Sequence, residues 1–204
     1  MLKLIIFDLD GVIVDTEKNM RHSWEYVKKK YKINKNFTDY KKKIGLPFQD
    51  ILEELNIDTN KVKIEKAYKS ESLKNNFKIK LFPNVKKIIK ELQKNYLTAI
   101  VTSKDAKRTK SLIEKFDLSF NYISCPKKIL RGKPYPDQIN LVLEKLKIKN
   151  RNHVVYIGDT QYDFFASKNA KIKFIHASYG FEKKIPKVKV RLNKFSDLLN
   201  KIND

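Results

Sequence analysis

Several residue types that define particular protein classes are scarce in this sequence. Cys125 is the only cysteine among the 204 residues, so an intrachain disulfide is impossible and we expect a cytoplasmic protein. No apolar run approaches the roughly 20 residues that a membrane-spanning helix needs, so we expect no membrane partner. The first apolar run is interrupted by Asp8 and Asp10, which argues against a signal peptide.

Arginine is also scarce, although the chain is strongly basic. The formal net charge is +22, yet only five of the 45 basic residues are arginines. Such a charge is typical of proteins that bind nucleic acid, an anionic surface or an acidic substrate. Phosphate-reading surfaces usually use more arginine, and the lysines are scattered rather than gathered in one block. We therefore interpret the charge as a solvated lysine coat, with a nucleic-acid surface as the alternative.

The first fifteen residues contain the most informative pattern in the chain. The apolar run Leu4 to Phe7 predicts a buried strand, and Asp8, Asp10 and Gly11 follow it directly. A buried carboxylate without a partner is costly, so Asp8 is expected at the open carboxyl end of the strand. In an extended segment Asp8 and Asp10 point the same way. The pair can therefore share a cation and divide nucleophilic and acid/base roles.

After Asp15 the apolar pattern changes from that of a strand to that of helices. Thr16 can cap a helix that runs to about Tyr31. Residues 16–79 show no convincing strand, and we interpret them as a helical insert. Its other predicted helices lie near 38–44, 47–56 and 60–76.

From residue 84 onward, strands and helices alternate. This order predicts a parallel, doubly wound α/β sheet. The predicted helices are 84–95, 105–117, 136–147, 160–170 and a closing helix from about Ser196. The predicted strands are 97–101, 120–124, 154–157, 172–176 and 188–192.

The second predicted core strand is followed by hydroxyl-bearing residues and then by the start of a helix. Thr102, Ser103 and Lys104 follow Val101. A strand-end hydroxyl followed by backbone amides that enter a helix suits a phosphoryl group, although threonine and serine also cap helices routinely. The segment is therefore a candidate phosphate site.

Two later segments carry charged residues in a restrained backbone. Lys133 stands between Gly132 and Pro134, so the backbone places it, and its ammonium can neutralise a carboxylate and a phosphate. Asp159 ends a predicted strand, and Asp163 lies one helical turn further on, so both can reach the same cation.

Together these segments resemble the four motifs of the haloacid dehalogenase-like phosphohydrolases, in the same order. The resemblance implies a Rossmann-like α/β core formed by residues 1–15 and 80–204, with residues 16–79 as a small helical cap domain. The cap pattern is similar to that of the phosphoglycolate phosphatase and β-phosphoglucomutase group. Asp10 favours a phosphatase, because dehalogenases of the superfamily lack this second acid.

The resemblance also implies a role for each motif residue. Asp8 is the expected nucleophile, which forms an aspartyl-phosphate, and Asp10 is the expected acid and base. The expected Mg²⁺ ligands are Asp8, the backbone carbonyl of Asp10, Asp159 and, directly or through water, Asp163. The expected phosphate-binding residues are Gly11, Thr102, Ser103, Lys104 and Lys133.

The expected partner is a small phosphorylated metabolite, and we expect a monomer or a weak dimer. A phosphosugar mutase is an alternative, although Met20 stands where mutases of the group carry a histidine. A phosphatase acting on nucleic-acid ends is the other alternative. Selectivity is expected in the cap, with Arg21, His22, Leu46 and Phe48 as candidates. Leu46 and Phe48 could equally be packing residues.

Overall fold

The core of the protein is a six-stranded parallel sheet, as predicted. A computed structural model describes residues 1–202. The strands lie in the order β5-β4-β1-β6-β7-β8, and every neighbouring pair is parallel. Their ranges are β1 (Leu4–Phe7), β4 (Leu97–Val101), β5 (Tyr122–Ser124), β6 (Val154–Gly158), β7 (Lys173–Ala177) and β8 (Arg191–Leu192).

Helices cover both faces of this sheet, so β1 is buried on both sides. Successive side chains of a strand point to opposite faces. Ile5 and Phe7 accordingly belong to one apolar cluster, and Leu4 and Ile6 belong to another. The helices of the core are α5 (Val85–Leu92), α6 (Ala106–Lys115), α7 (Asp137–Lys145), α8 (Gln161–Asn169) and α9 (Leu198–Lys201).

Four helices lie between the first strand and the rest of the core. They form their own apolar cluster, in which Trp24 and Tyr40 stack with ring centroids 4.6 Å apart. We call residues 16–79 the helical segment. Its helices are α1 (Glu17–Tyr31), α2 (Phe37–Lys41), α3 (Phe48–Glu54) and α4 (Lys61–Lys74).

Two short strands join the helical segment to the sheet. β2 (Val14–Asp15) and β3 (Lys80–Leu81) pair antiparallel, so the chain enters and leaves the segment side by side. The sequence did not predict this ribbon, because two residues are too few to show an alternating pattern.

Several elements are shorter than predicted. The expected helix 60–76 begins only at Lys61, because Asn60 adopts a left-handed conformation, and it is followed by a separate 3₁₀ turn. The expected strand 188–192 is reduced to Arg191–Leu192. The closing helix begins as a 3₁₀ turn, Phe195–Asp197, before α9. Among residues 1–202, no helix has the length and apolar composition needed to cross a membrane.

Candidate active site

Three neighbouring parallel strands end at the same edge of the sheet, and each is followed by a polar residue. Asp8 follows β1, Thr102 follows β4 and Asp159 follows β6. All three side chains are buried. Because β1 lies between β4 and β6, the sheet itself brings these predicted site residues together.

A buried lysine connects two of the acids. The Nζ atom of Lys133 lies 2.6 Å from Oδ1 of Asp8 and 2.6 Å from Oδ1 of Asp163. Burial by itself would lower the pKa of Lys133, but the two carboxylates outweigh it and hold the pKa well above its usual value. Lys133 therefore carries a positive charge at the floor of the site.

Asp163 is held by hydrogen bonds on both of its oxygens. Oδ2 accepts from the hydroxyl and the backbone N–H of Thr160, at 2.7 and 3.0 Å, and from the N–H of Asp159. Oδ1 accepts from the hydroxyl of Tyr156, at 3.1 Å, in addition to Lys133. This network fixes the loop between β6 and α8, so Asp163 positions Asp159 and Lys133.

The acids Asp8, Asp159 and Asp163 form a cluster that fits a divalent cation. One carboxylate oxygen of each lies within 4.8 Å of the others. Asp159 Oδ2 accepts from the N–H of Phe181 at 2.7 Å, whereas Asp159 Oδ1 is buried without a hydrogen-bond partner among residues 1–202. A buried, unpartnered carboxylate oxygen is costly unless an ion completes its environment. Oxygen ligands of this kind are those that Mg²⁺ prefers.

The burial and crowding of these acids, which favour a bound cation, also raise the pKa values of Asp159 and Asp8. Burial raises the pKa of Asp159 well above its usual value, and the charges of Asp163 and Asp8 raise it further. Burial also raises the pKa of Asp8 to about 7, against the opposing effect of Lys133. A cation at this cluster would stabilise the charged carboxylates.

Gly11 lies against Asp159 of the acid cluster. Its φ is +83°, a left-handed conformation that glycine adopts without strain, and a Cβ atom here would collide with the carboxylate of Asp159. The sequence expectation for Gly11 was phosphate binding, and the contact that the structure shows is with Asp159.

Asp10 faces a second buried lysine. Its Oδ1 atom lies 3.2 Å from Nζ of Lys104, but without the alignment of a hydrogen bond. The N–H of Lys104 donates to Oγ1 of Thr102 at 3.1 Å, which holds the loop after β4 against the site. Burial lowers the pKa of Lys104, and Asp10 opposes that effect. Lys104 is the basic side chain that faces Asp10.

These groups surround a small cavity between the sheet edge and the helical segment. Its volume is about 50 Å³. The predicted residues Asp8, Asp10 and Lys133 line it from the core, and Leu46 and Phe48 line it from the helical segment. Sequence reasoning missed other residues that line it, among them Tyr40, Tyr68 and Arg108.

A family model described as haloacid dehalogenase-like hydrolase matches residues 5–177. The chain belongs to this family. It is 24% identical to Pyrophosphatase PpaX of Oceanobacillus iheyensis over 84% of this chain and 81% of that protein. It is 26% identical to the phosphoglycolate phosphatase of Aquifex aeolicus, over 89% and 87% of the two chains.

Solved structures show the same haloacid dehalogenase-like fold. A hydrolase from Pseudomonas syringae superposes with a TM-score of 0.88 over 98% of both chains, at 20% identity. A haloacid dehalogenase-like family protein from Streptococcus pneumoniae gives 0.85 over 98% of both chains, at 19% identity. At these identities the likeness bears on the fold alone.

Two predicted specificity residues of this family member lie away from the cavity. Arg21 is exposed, lies 3.3 Å from Glu17, and has its guanidinium over the ring of Phe37. His22 is also exposed, and its Nε2 atom lies 3.0 Å from a carboxylate oxygen of Glu71. Neither residue lines the described cavity.

Proposed function

We propose that this chain is a Mg²⁺-dependent phosphatase that acts on a small phosphorylated metabolite through an aspartyl-phosphate on Asp8. The observation that supports it most directly is that Asp8 and Asp10 line one cavity together with Thr102 and Lys133. The cavity thus combines a nucleophile, an acid and donors for phosphate oxygens. The names of the relatives, a pyrophosphatase and a phosphoglycolate phosphatase, support phosphate-containing substrates.

In the first step, an oxygen of Asp8 attacks phosphorus while the bond from phosphorus to the leaving oxygen breaks. Asp10 gives its proton to that leaving oxygen. Lys133, 2.6 Å from Oδ1 of Asp8, opposes the rise that burial causes in the pKa of Asp8, and it leaves the other oxygen for the attack. Thr102, the backbone amide of Ser103 and Lys133 hold the transferred oxygens in this proposal. Most of the catalysis in phosphoryl transfer arises from such contacts.

In the second step, Asp10 takes a proton from water, which attacks the phosphorus of the aspartyl-phosphate and releases phosphate and free Asp8. Asp8, Asp159 and the backbone of Asp10 would hold Mg²⁺, with Asp163 supporting them. When bound, the ion neutralises charge on the transferred phosphoryl group.

We also propose that residues 16–79 act as a cap domain over a core of residues 1–15 and 80–204. The support is that the helical segment has its own apolar cluster and supplies one wall of the cavity. A cap in this position excludes bulk water from the reacting groups. Met20 also lines the cavity, and its thioether cannot exchange protons, which favours hydrolysis over a mutase reaction.

The test is release of phosphate from p-nitrophenyl phosphate and from a panel of small phosphorylated metabolites, with and without Mg²⁺. The proposal expects Mg²⁺-dependent release, and it expects Asp8→Asn to abolish it while the circular dichroism spectrum is retained. Asp15→Asn is the matched control, since Asp15 is an exposed acid near the same loop. Turnover by Asp8→Asn within tenfold of wild type would contradict the assignment of the nucleophile.

A further inference from the structure

Arg108 is a buried arginine on the cavity wall that the proposed reaction does not use. It lies in the first turn of α6 and is 7% exposed. Its Nε–H donates to Oδ2 of Asp105 over 2.5 Å, and one terminal nitrogen lies 3.4 Å from Oγ of Ser72. A guanidinium has five N–H donors. Asp105 and Ser72 engage two of these donors, which leaves terminal N–H groups on a side chain that borders the cavity.

A tyrosine hydroxyl lies beside this guanidinium. The guanidinium of Arg108 lies 5.5 Å from the ring centroid of Tyr68. The hydroxyl of Tyr40 donates to that of Tyr68 over 2.9 Å, so the O–H of Tyr68, which also lines the cavity, is left for another acceptor. Arg108 and Tyr68 together form a donor pair of the kind that binds a carboxylate or phosphate oxygen.

This pair lies on the Asp10 side of the cavity, because Lys104, four residues before Arg108, lies 3.2 Å from Asp10. Burial raises the pKa of Tyr68 to about 12, Arg108 opposes that rise and Asp10 adds to it, so both charged groups act on the Tyr68 hydroxyl. Asp10 is the proposed acid for the leaving oxygen. A substrate seated with its phosphorus at Asp8 would therefore extend its leaving group toward Arg108 and Tyr68.

Charge on this wall also favours an anion. Lys104 and Arg108 are both buried, and each is paired with one acid, Asp10 or Asp105. The positive charge of Arg108 contributes to lowering the pKa of Lys104, after the larger effect of burial, so the two cations are close enough to repel each other. An anionic group between them would relieve that repulsion.

The cavity limits the size of such a group. Its volume of about 50 Å³ exceeds the space of one water, for which roughly 10–15 Å³ suffices, but is far below the several hundred Å³ typical of pockets for drug-sized ligands. With the helical segment in this position, the cavity best fits a leaving group of only a few non-hydrogen atoms.

We propose that Arg108 determines specificity by binding a second anionic group on the leaving side of the substrate. The preferred substrates are then compact phosphates whose leaving group carries a carboxylate or a further phosphate. This inference rests on the proposed phosphatase function, and it adds to that function a class of substrate and the residue that selects it.

The experiment compares kcat/KM for three compact substrates, with Mg²⁺ present. Pyrophosphate carries a second phosphate, 2-phosphoglycolate carries a carboxylate, and 2-hydroxyethyl phosphate has a neutral leaving group of similar size. Wild type is expected to prefer at least one anionic substrate over the neutral one. Arg108→Met should reduce that preference roughly tenfold or more, because a hydrogen bond to a charged group is worth about 1.5–3 kcal/mol.

Three further variants make the comparison specific. Arg21→Met removes an exposed arginine of the helical segment and should leave the preference within about twofold. Arg108→Met combined with Asp105→Asn removes both charges of the pair, which controls for an unpartnered Asp105. Arg108→Lys keeps the positive charge but loses the planar guanidinium, and it should give an intermediate preference. This variant is used instead of Arg108→Met if Arg108→Met does not fold.

The outcomes separate this inference from the proposed function. Equal losses on all three substrates in the Arg108 variants, or a wild type without preference for either anionic substrate, would overturn the role of Arg108. The phosphatase proposal would survive both results. If wild type releases no phosphate from any of the three, the proposed function fails and this inference fails with it. Loss of preference on pyrophosphate alone, or on 2-phosphoglycolate alone, identifies which anion Arg108 binds.

Discussion

The hydroxyl of Ser103 donates a 2.6 Å hydrogen bond to the backbone carbonyl of Gly45. Ser103 belongs to the loop after β4, and Gly45 lies in the turn between α2 and α3. The bond therefore joins the proposed phosphate loop to the helical segment. Gly45 has a φ of +111°, a conformation that favours glycine, and Thr160 leaves no room for a Cβ atom there. This conformation directs the Gly45 carbonyl to Ser103.

The first prediction concerns this contact. Ser103→Ala keeps the backbone amide proposed to bind phosphate and removes only the bond to Gly45. We expect KM to rise about fivefold, since a neutral hydrogen bond contributes about 1 kcal/mol to the closed arrangement. Steady-state kinetics on the best substrate of the panel measure it. Ser119→Ala, at an exposed serine of the core, is the control, and an unchanged KM in Ser103→Ala would show that the bond does not support binding.

The second prediction concerns the cation. Asp159→Asn replaces one oxygen ligand by an amide and removes a charge from the cluster of buried acids. Activity should require at least roughly tenfold more Mg²⁺ than in wild type, because ligands and the groups around them set metal affinity. Titration of activity with Mg²⁺ and direct calorimetric binding provide the two readouts. Full activity of wild type in excess EDTA would reject the metal requirement.

The third prediction concerns the stability of the charged network. Asp163→Asn removes the charge that pairs with Lys133, and its one remaining oxygen cannot accept both from Lys133 and Tyr156 and from Thr160 and Asp159. We expect the free energy of unfolding to fall by about 3 kcal/mol, the scale for breaking a buried ion pair. Urea denaturation followed by circular dichroism measures it. Asp117→Asn is the comparison, because Asp117 pairs with Lys86 at the surface, and a loss as small as in that variant would argue against the network.

The fourth prediction concerns the wall formed by the helical segment. Phe48 packs on Tyr68 with ring centroids 4.5 Å apart, and it also lines the cavity. Phe48→Ala should reduce stability by about 3 kcal/mol and change the ranking of substrates more than the rate on p-nitrophenyl phosphate. Phe48→Leu, which keeps more of the packing, separates the two effects. A ranking identical to wild type in both variants would make Phe48 a packing residue only.

The strand-end residues could be predicted from the sequence because each follows a recognisable apolar run. Parallel strands place their carboxyl ends at one edge, so Asp8, Thr102 and Asp159 had to meet once the order of elements was known. The bond from Lys133 to Asp163 was beyond this reasoning, since it depends on how two loops fold against each other. The cation site could be predicted because several acids follow strands that end at one sheet edge. The distances between their carboxylates were not needed for that prediction.

The other residues that line the cavity were harder to predict from the sequence. Tyr40 and Tyr68 meet inside the cluster of the helical segment, and Arg108 meets Tyr68 only because that segment folds onto the core. Arg108 did carry one signal, since it is one of only five arginines in a chain rich in lysine. Arg21 and His22 are expected on the first helix of the insert, where they could meet a substrate carboxylate or hydroxyl, but in the structure they contact Glu17 and Glu71.

The most direct test of the account is to locate the phosphoryl group during turnover. Substrate labelled with ³²P is mixed with the enzyme and Mg²⁺, the reaction is quenched with acid within milliseconds, and the labelled peptide is mapped. The account predicts label on the peptide that contains Asp8, sensitive to hydroxylamine as an acyl phosphate is. Turnover in the same mixture with no label on the protein, or with label on a residue other than Asp8, would contradict it.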